Sequence, residues 1–186
     1  MSAGSISIRP ERTSDYAEIR TVNDRAFAGP DEARLVDALR RSAHPFISLV
    51  ADSAGIIVGH ICFSPVQIIR DRSPGGGSGT GSDPSRPLVV GLAPMSVLPE
   101  YQRQGIGSML VKAGLEACQD ESIDAVVVLG HPDYYPRFGF RDASTFGLRS
   151  EYDATPGAFM ALELRPAALV DSAGLVRFHP AFGEVG

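Results

Sequence analysis

Segments with a two-residue hydrophobic periodicity and segments with a helical periodicity follow one another along the first third of the chain. Apolar and polar residues alternate in some segments, which is typical of a half-buried strand. In others, apolar residues recur every three or four positions, as on one face of a helix. The triplet Thr13-Ser14-Asp15 offers three N-capping side chains, and Pro30-Asp31 favours a second helix start. These signals predict a strand over residues 5–8, helices ending at residues 27 and 41, and a hairpin with strands over 47–51 and 56–63.

The second half of the chain begins with a strand, a helix and another strand. The first strand, over 88–98, contains Pro94, which cannot donate to a ladder and therefore indicates a bulge. Helical spacing runs from Ile106 to Ala117, and the apolar run Ala125–Leu129 is typical of a buried strand. The remaining pattern predicts a short helix over 134–138 and strands over 159–164 and 175–178. We therefore predict an α/β or α+β fold around one mixed sheet.

Residues 70–87 interrupt these periods. Their sequence, RDRSPGGGSGTGSDPSRP, has no apolar residue to anchor it and is rich in glycine, which is costly to order. We interpret this segment as a flexible loop, because the elements before it cannot close a sheet alone. A length of 186 residues suits one ordinary domain, so residues 1–186 are predicted to form a single domain that carries this loop.

Composition and charge narrow the function classes. With 44% hydrophobic and 21% charged residues, the chain resembles soluble globular proteins that bury a sizeable core. A net charge of -5 disfavours nucleic-acid partners, whose binding depends on basic patches. Cys62 and Cys118 have neither zinc-site nor disulfide spacing, so we expect no metal and a reducing compartment. Without a transmembrane run or a signal-like start, we expect a cytoplasmic protein with no membrane partner.

The most informative segment lies between Val97 and Ser108, where a strand ends, a polar turn follows and a helix begins at two glycines. A helix start presents unpaired N–H groups and a positive dipole end, and glycine lets the backbone approach a bulky anion. The turn therefore predicts a phosphate site. Residues 105–110 lack the third glycine of the dinucleotide fingerprint, and they lack the Gly-Lys-Ser/Thr ending of a P-loop.

Two motifs, in this order and at this spacing, resemble the GCN5-related N-acetyltransferase (GNAT) family. The first is Gln102-x-x-Gly105-x-Gly107 behind Pro99-Glu100-Tyr101, and the second is Tyr135-x-x-x-Gly139-Phe140 after the buried strand. The resemblance covers residues 5–165 and is strongest to a bacterial subgroup. It implies a GNAT-like fold, in which a mixed central sheet is splayed between two central strands and flanked by helices.

The resemblance also implies roles for particular residues. The backbone of Met95, Ser96 and Val97 would pair with the pantetheine arm and the thioester of acetyl-CoA, as an added strand would. Tyr135 would donate a proton to the departing thiolate, with Tyr134 as the competing candidate. The pyrophosphate would be held by the turn residues Arg103, Gln104, Gly105, Ile106, Gly107 and Ser108.

The chain departs from the family pattern in two places, one of which leaves the general base unassigned. Many members carry an asparagine just after the buried strand, whereas here the sequence reads Leu129-Gly130-His131-Pro132, and no glutamate lies on the strand 88–98. A base is still required, because the amine must lose a proton before it attacks. The candidates are His131, Glu32, His60 or an ordered water chain, although the position of His60 between Gly59 and Ile61 favours a hydrogen-bonded histidine of the sheet.

These observations predict an acetyl-CoA-dependent N-acetyltransferase in which the primary amine of a small molecule or peptide attacks the thioester directly. No metal is needed. The alternatives are a non-catalytic acyl-CoA-binding regulatory module, an acyltransferase with another acyl donor or a hydroxyl acceptor, and a turn that binds nothing. The family resemblance also allows a homodimer, which no residue here demands.

Overall fold

A computed structural model describes residues 5–71 and 86–184. Most of the predicted loop over 70–87 lies outside these ranges, so its flexibility stays a prediction. In the described part of the chain, no helix combines the length and the apolar character needed to cross a bilayer. The described α-helices are α1 (Tyr16–Phe27), α2 (Asp31–Ser42) and α3 (Ile106–Asp120).

The strands are numbered in chain order. They are β1 (Ile6–Pro10), β2 (Ile47–Ser53), β3 (Ile56–Pro65), β4 (Gln67–Arg70), β5 (Val89–Val97), β6 (Ala125–Leu129), β7 (Arg141–Asp142), β8 (Leu148–Ser150), β9 (Phe159–Glu163) and β10 (Gly174–Arg177). Short 3₁₀ turns cover Thr13–Asp15, Pro99–Tyr101, Tyr135–Phe138, Ala143–Phe146 and Pro180–Gly183.

The described residues divide into two compact units, of which the first comprises 5–64, 92–120 and 179–184. In this unit β1 is antiparallel to β2, and β2 is antiparallel to β3 with a bulge at Ala51/Asp52, so the predicted hairpin is confirmed. The end of β5 continues beside β3, where the Leu98 N–H donates to the Val58 carbonyl at 2.9 Å.

Helix α3 approaches the first unit's strands closely because residue 114 has no side chain. A Cβ atom on Gly114 would lie 2.5 Å from the ring of Phe63, which is fully buried on β3. Leu110 and Val111 of the same helix are also fully buried. Helix α3 is therefore held by its apolar face, and its first turn follows directly from β5 through residues 98–105.

The start of α1 differs from the prediction. Thr13-Ser14-Asp15 forms a 3₁₀ turn, and no side chain of the triplet caps the helix. Asp15 instead accepts hydrogen bonds from the Arg9 guanidinium at 2.7 Å and from the Arg12 N–H at 2.7 Å. The Arg9 hydrogen bond lowers the pKa of Asp15. Asp15 thus closes a capping box around the 3₁₀ turn, one step before α1, and its charge-assisted hydrogen bond with Arg9 holds it there.

The second unit comprises residues 65–71, 86–91 and 121–178. Strand β6 lies between the parallel start of β5 and the antiparallel β9, and β9 also pairs with β7. A separate three-stranded sheet has the order β4-β10-β8. Its central strand approaches β4 closely, since a Cβ atom on Gly174 would lie 2.2 Å from the Ile69 carbonyl oxygen.

The ladder between β5 and β6 is short. It pairs Val89, Val90 and Gly91 with Ala125, Val126 and Val127 and then stops, although β5 continues to Val97 and β6 to Leu129. The peptide groups of residues 95–97 therefore lie outside this ladder. The fold is α/β with a mostly antiparallel, splayed sheet and flanking helices, so the predicted fold class is confirmed.

Candidate functional site

The turn that leads into α3 has the backbone geometry that its glycine predicts. Gly105 has a φ of 86°, in the left-handed region that glycine adopts at little cost, and Arg103 has a φ of 59°. The first helical hydrogen bond of this helix runs from the Met109 N–H to the Gly105 carbonyl at 3.0 Å. The preceding N–H groups of Ile106, Gly107 and Ser108 therefore have no acceptor within the helix.

Space in front of this turn is open. A Cβ atom on Gly105 would meet no atom within 4 Å, and Arg103, Gln104 and Gly105 are exposed. Ile106 is buried and anchors the first turn of α3 to the core. The structure thus brings the six predicted turn residues together as an exposed backbone arch on a fixed helix start. Such an arch suits a bulky anion.

Side chains brace the turn from within. The Gln102 side-chain amide donates to the Val97 carbonyl at 3.0 Å, and the Gln104 amide donates to the Glu100 carbonyl at 3.0 Å. Glu100 in turn accepts two hydrogen bonds from Arg25 of α1, at 2.9 and 3.1 Å. The side chain of Gln104 is therefore engaged within the turn. Of the predicted cofactor contact at Gln104, only a contact through its backbone stays a prediction.

The three predicted residues of β5 alternate in burial. Met95 and Val97 are half-buried, whereas Ser96 is buried, and its hydroxyl has no hydrogen-bond partner among the described residues. All three lie in the first unit with the turn, immediately before it in the chain. The end of β5 and the arch of residues 103–108 are thus consecutive parts of one segment.

Tyr135 belongs to the second unit and begins a 3₁₀ turn that ends at Gly139, whose φ of 94° favours glycine. The Tyr135 ring is buried, with edge contacts to Tyr134 and Phe140 at centroid distances of 5.1 and 5.6 Å. Burial, assisted by Tyr134, raises the pKa of Tyr135 to about 12. The phenol holds a proton at neutral pH, as it would at its ordinary pKa, and burial makes it a weaker acid.

Two neighbours explain the position of the Tyr135 ring. A Cβ atom on Gly130 would lie 2.3 Å from that ring, so the ring occupies the space that a side chain at residue 130 would need. The Tyr134 ring is half-buried between Phe138, at 5.4 Å, and the Arg137 guanidinium, at 4.6 Å. The Tyr134 ring thus packs against its neighbours along the chain. The role of Gly130 was missed, because a strand-ending glycine gives no signal of a ring above it.

Of the three candidate bases, His60 is fully buried in β3. Its Nε2 lies 2.9 Å from the Ser48 hydroxyl, which donates to Glu11 at 2.6 Å, and its Nδ1 lies 3.4 Å from the Asn23 amide nitrogen. Burial lowers the pKa of His60 to about 4, against which the nearby Glu11 carboxylate acts. A neutral ring with both nitrogens engaged is a structural group, which agrees with the sheet role that the sequence favours for His60 and makes it a poor candidate for the base.

The other two candidates are accessible. His131 is exposed on the turn after β6, where its carbonyl accepts from the Tyr134 N–H at 3.0 Å. Glu32 is half-buried in the first turn of α2, where the helix dipole favours a carboxylate. Within the described ranges, no three His, Cys, Asp or Glu side chains are grouped so that they could hold a metal ion.

The neutral, buried His60 predicts a loss of stability on mild acidification. Its folded pKa near 4 lies below the ordinary 6.5, so the unfolded chain takes up the extra proton first as the pH falls. We expect the free energy of unfolding to drop below pH 6.5, by about 2 kcal/mol at pH 5. Urea denaturation at pH 7.5 and pH 5 measures this drop. His60→Gln should remove most of the difference, and equal stability of the native chain at both pH values would contradict it.

Comparisons with known proteins agree with this geometry. The sequence profile of the Acetyltransferase (GNAT) family matches residues 8–140. A curated relative named Uncharacterized N-acetyltransferase YhbS, from Escherichia coli (strain K12), is 35% identical over 178 residues, which are 95% of this chain and 98% of the relative.

Solved structures show the same relationship. The crystal structure of Escherichia coli YhbS in complex with CoA has a TM-score of 0.83 at 33% identity, covering 100% of this chain and 96% of that one. A GNAT-family acetyltransferase from Brucella melitensis in complex with acetyl-CoA has a TM-score of 0.72 at 35% identity, covering 96% and 98%. The resemblance drawn from the two sequence motifs is confirmed. The chain belongs to the GNAT family of N-acetyltransferases.

Proposed function

We propose that this protein transfers the acetyl group of acetyl-CoA to the primary amine of a small molecule or peptide. The observation that carries the proposal is the open arch of residues 103–108 at the start of α3, where a Cβ atom on Gly105 would enter free space. The two similar crystal structures hold CoA and acetyl-CoA, which supports the same ligand here.

The residues present fit that ligand. Backbone N–H groups of Ile106, Gly107 and Ser108, together with the positive end of the α3 dipole, would bind the pyrophosphate. The Arg103 guanidinium would add charge at the rim of the arch. Met95, Ser96 and Val97 lie beyond the β5–β6 ladder, so their backbone groups on that side of β5 would pair with the pantetheine amides as an added strand. Acetyl-CoA would supply an acetyl group activated as a thioester.

In this proposal the reaction is a direct displacement. The neutral amine nitrogen bonds to the acetyl carbonyl carbon, the carbon–sulfur bond breaks, and Tyr135 gives its phenolic proton to the departing sulfur. His131, Glu32 or a water chain removes the proton that the amine nitrogen must lose. Most of the acceleration would come from holding both substrates in position.

Two measurements on the purified chain test the function. Isothermal titration with coenzyme A measures binding, and thiol release from acetyl-CoA is followed across a panel of polyamines, aminoglycosides, amino acids and peptides. We expect binding, and thiol release that depends on an added amine. Binding without amine-dependent release would favour a regulatory module, faster release from longer acyl-CoA would favour another donor, and no binding would remove the proposal. A cytoplasmic location and a homodimer stay predictions.

A further inference from the structure

The second unit contains a cavity of about 370 Å³ between β8 and the start of β9. It is lined by residues from both sheets of this unit and by the segment 152–157, with Tyr152 and Phe159 as its aromatic residues. This volume lies in the range of small-molecule pockets, and the cavity is a surface groove, since residues 152–156 along its wall are exposed. Tyr152 is 40% exposed although its ring packs 5.7 Å from Phe178, so its exposed surface is available to a ligand.

The charge of the lining favours a cation. Asp142 and Asp153 each contribute a carboxylate, and hydrogen bonds from Ser144 lower the pKa of Asp142. Arg149, the basic lining residue, is already neutralised by Asp71, which accepts from both its terminal nitrogens at 2.7 and 2.8 Å. Asp153 forms no hydrogen bond or ion pair with the described residues, so its carboxylate has no competing partner. Aromatic faces beside carboxylates attract ammonium and guanidinium groups.

The cavity adjoins the segment that carries Tyr135. Leu129, the last residue of β6, lies opposite Phe159 in the ladder, and the Gly130 N–H donates to the Ala158 carbonyl at 2.9 Å. A Cβ atom on Gly157, a lining residue, would lie 3.6 Å from Pro132. The Tyr135 ring packs directly over Gly130. The cavity and the proposed general acid therefore share the carboxyl end of β6.

We infer that this cavity binds a second cationic group of the acceptor, so that the preferred substrates are amines bearing a distal ammonium or guanidinium. Asp142 and Asp153 determine that preference. The inference rests on the proposed function, because it assigns the acceptor of that reaction, and it goes beyond that function by naming the acceptor's charge and the residues that select it.

A matched pair of ligands tests the inference without requiring acetyl transfer. Isothermal titration in the presence of coenzyme A compares 1,5-diaminopentane with 5-amino-1-pentanol, which differ in the distal group alone. At low ionic strength we expect the native chain to bind the diamine about fivefold more tightly, as one additional partly exposed charge pair allows. In Asp153→Asn we expect the two dissociation constants to agree within about twofold.

A control variant separates local from general charge effects. Glu121 is exposed on the turn before β6, at the end of that strand opposite to the cavity, and Glu121→Gln removes the same charge. It should keep the preference for the diamine. Absence of diamine binding, equal affinities in the native chain, or an unchanged preference in Asp153→Asn would each overturn the inference. Failure of coenzyme A binding or of thiol release would instead count against the proposed function, so the two failures are distinguishable.

Discussion

Replacing Tyr135 by phenylalanine is expected to lower the turnover of acetyl transfer about 100-fold or more, with little change in coenzyme A affinity. The substitution keeps the ring that packs on Gly130 and Phe140 and removes the hydroxyl that would protonate the sulfur. At neutral pH the group that is lost is a protonated phenol. Steady-state thiol release and isothermal titration measure the two quantities separately.

Tyr134→Phe is the matched control for Tyr135→Phe. It removes the same hydroxyl from the adjacent ring, whose contacts with Phe138 and Arg137 are made by the ring itself. We expect its turnover to stay within about threefold of the native value, because the substitution removes no group that transfers a proton. If Tyr135→Phe turned over as fast as Tyr134→Phe, the acid would have to be another group.

A leucine in place of Gly105 is expected to weaken coenzyme A binding about 10- to 100-fold. Its side chain would fill the open space in front of the arch, where backbone N–H groups must reach the pyrophosphate. Losing one or two hydrogen bonds to a charged group accounts for this range. Isothermal titration with coenzyme A measures the change.

Gly55 offers a control that shares the local geometry of Gly105. It lies in the turn between β2 and β3, has a φ of 90° against 86° for Gly105, and also has no atom within 4 Å of a Cβ position. Gly55→Leu should therefore cost similar backbone strain while keeping native coenzyme A affinity. Equal affinities of the two leucine variants would show that the arch does not hold the ligand.

Long, strongly periodic elements could be predicted closely from the amino-acid sequence. The helices expected to end at residues 27 and 41 end at Phe27 and Ser42, and the buried strand over 125–129 has the predicted bounds. These elements bury one face or both, so the spacing of their apolar residues reveals which positions are buried. The turn before α3 was predictable for a similar reason, since Gly105 marks its left-handed backbone conformation. A single domain stays a prediction.

Shorter strands escaped the prediction because their stability comes from partners far away in the chain. Strand β8 has three residues and pairs with β10, whereas β7 has two exposed residues and pairs with β9. Strand β4 ends at Arg70, where the glycine-rich segment was predicted to begin. None of these segments is long enough to show a period of its own.

The contacts that support the site were also out of reach of sequence patterns. Gln104 belongs to a recognisable motif, yet its hydrogen bond to the Glu100 carbonyl depends on how the turn closes. The Arg25–Glu100 ion pair joins residues 75 positions apart, and nothing in either local sequence announces it. The place of His60 inside a strand favoured a structural histidine, but its partners Ser48 and Asn23 could not be predicted from the sequence.

The missing side chain at Gly114 matters beyond the helix that contains it. Eight residues separate it from Ile106, which is about 12 Å along the axis at the usual rise per residue. Since a helix moves as a nearly rigid rod over that distance, the depth of Phe63 beneath residue 114 sets the height of the whole rod above the strands. The unpaired N–H groups at the start of α3 therefore lie at the same height above the strands. A ligand's phosphates would thus be placed, at long range, by one aromatic ring that never touches them.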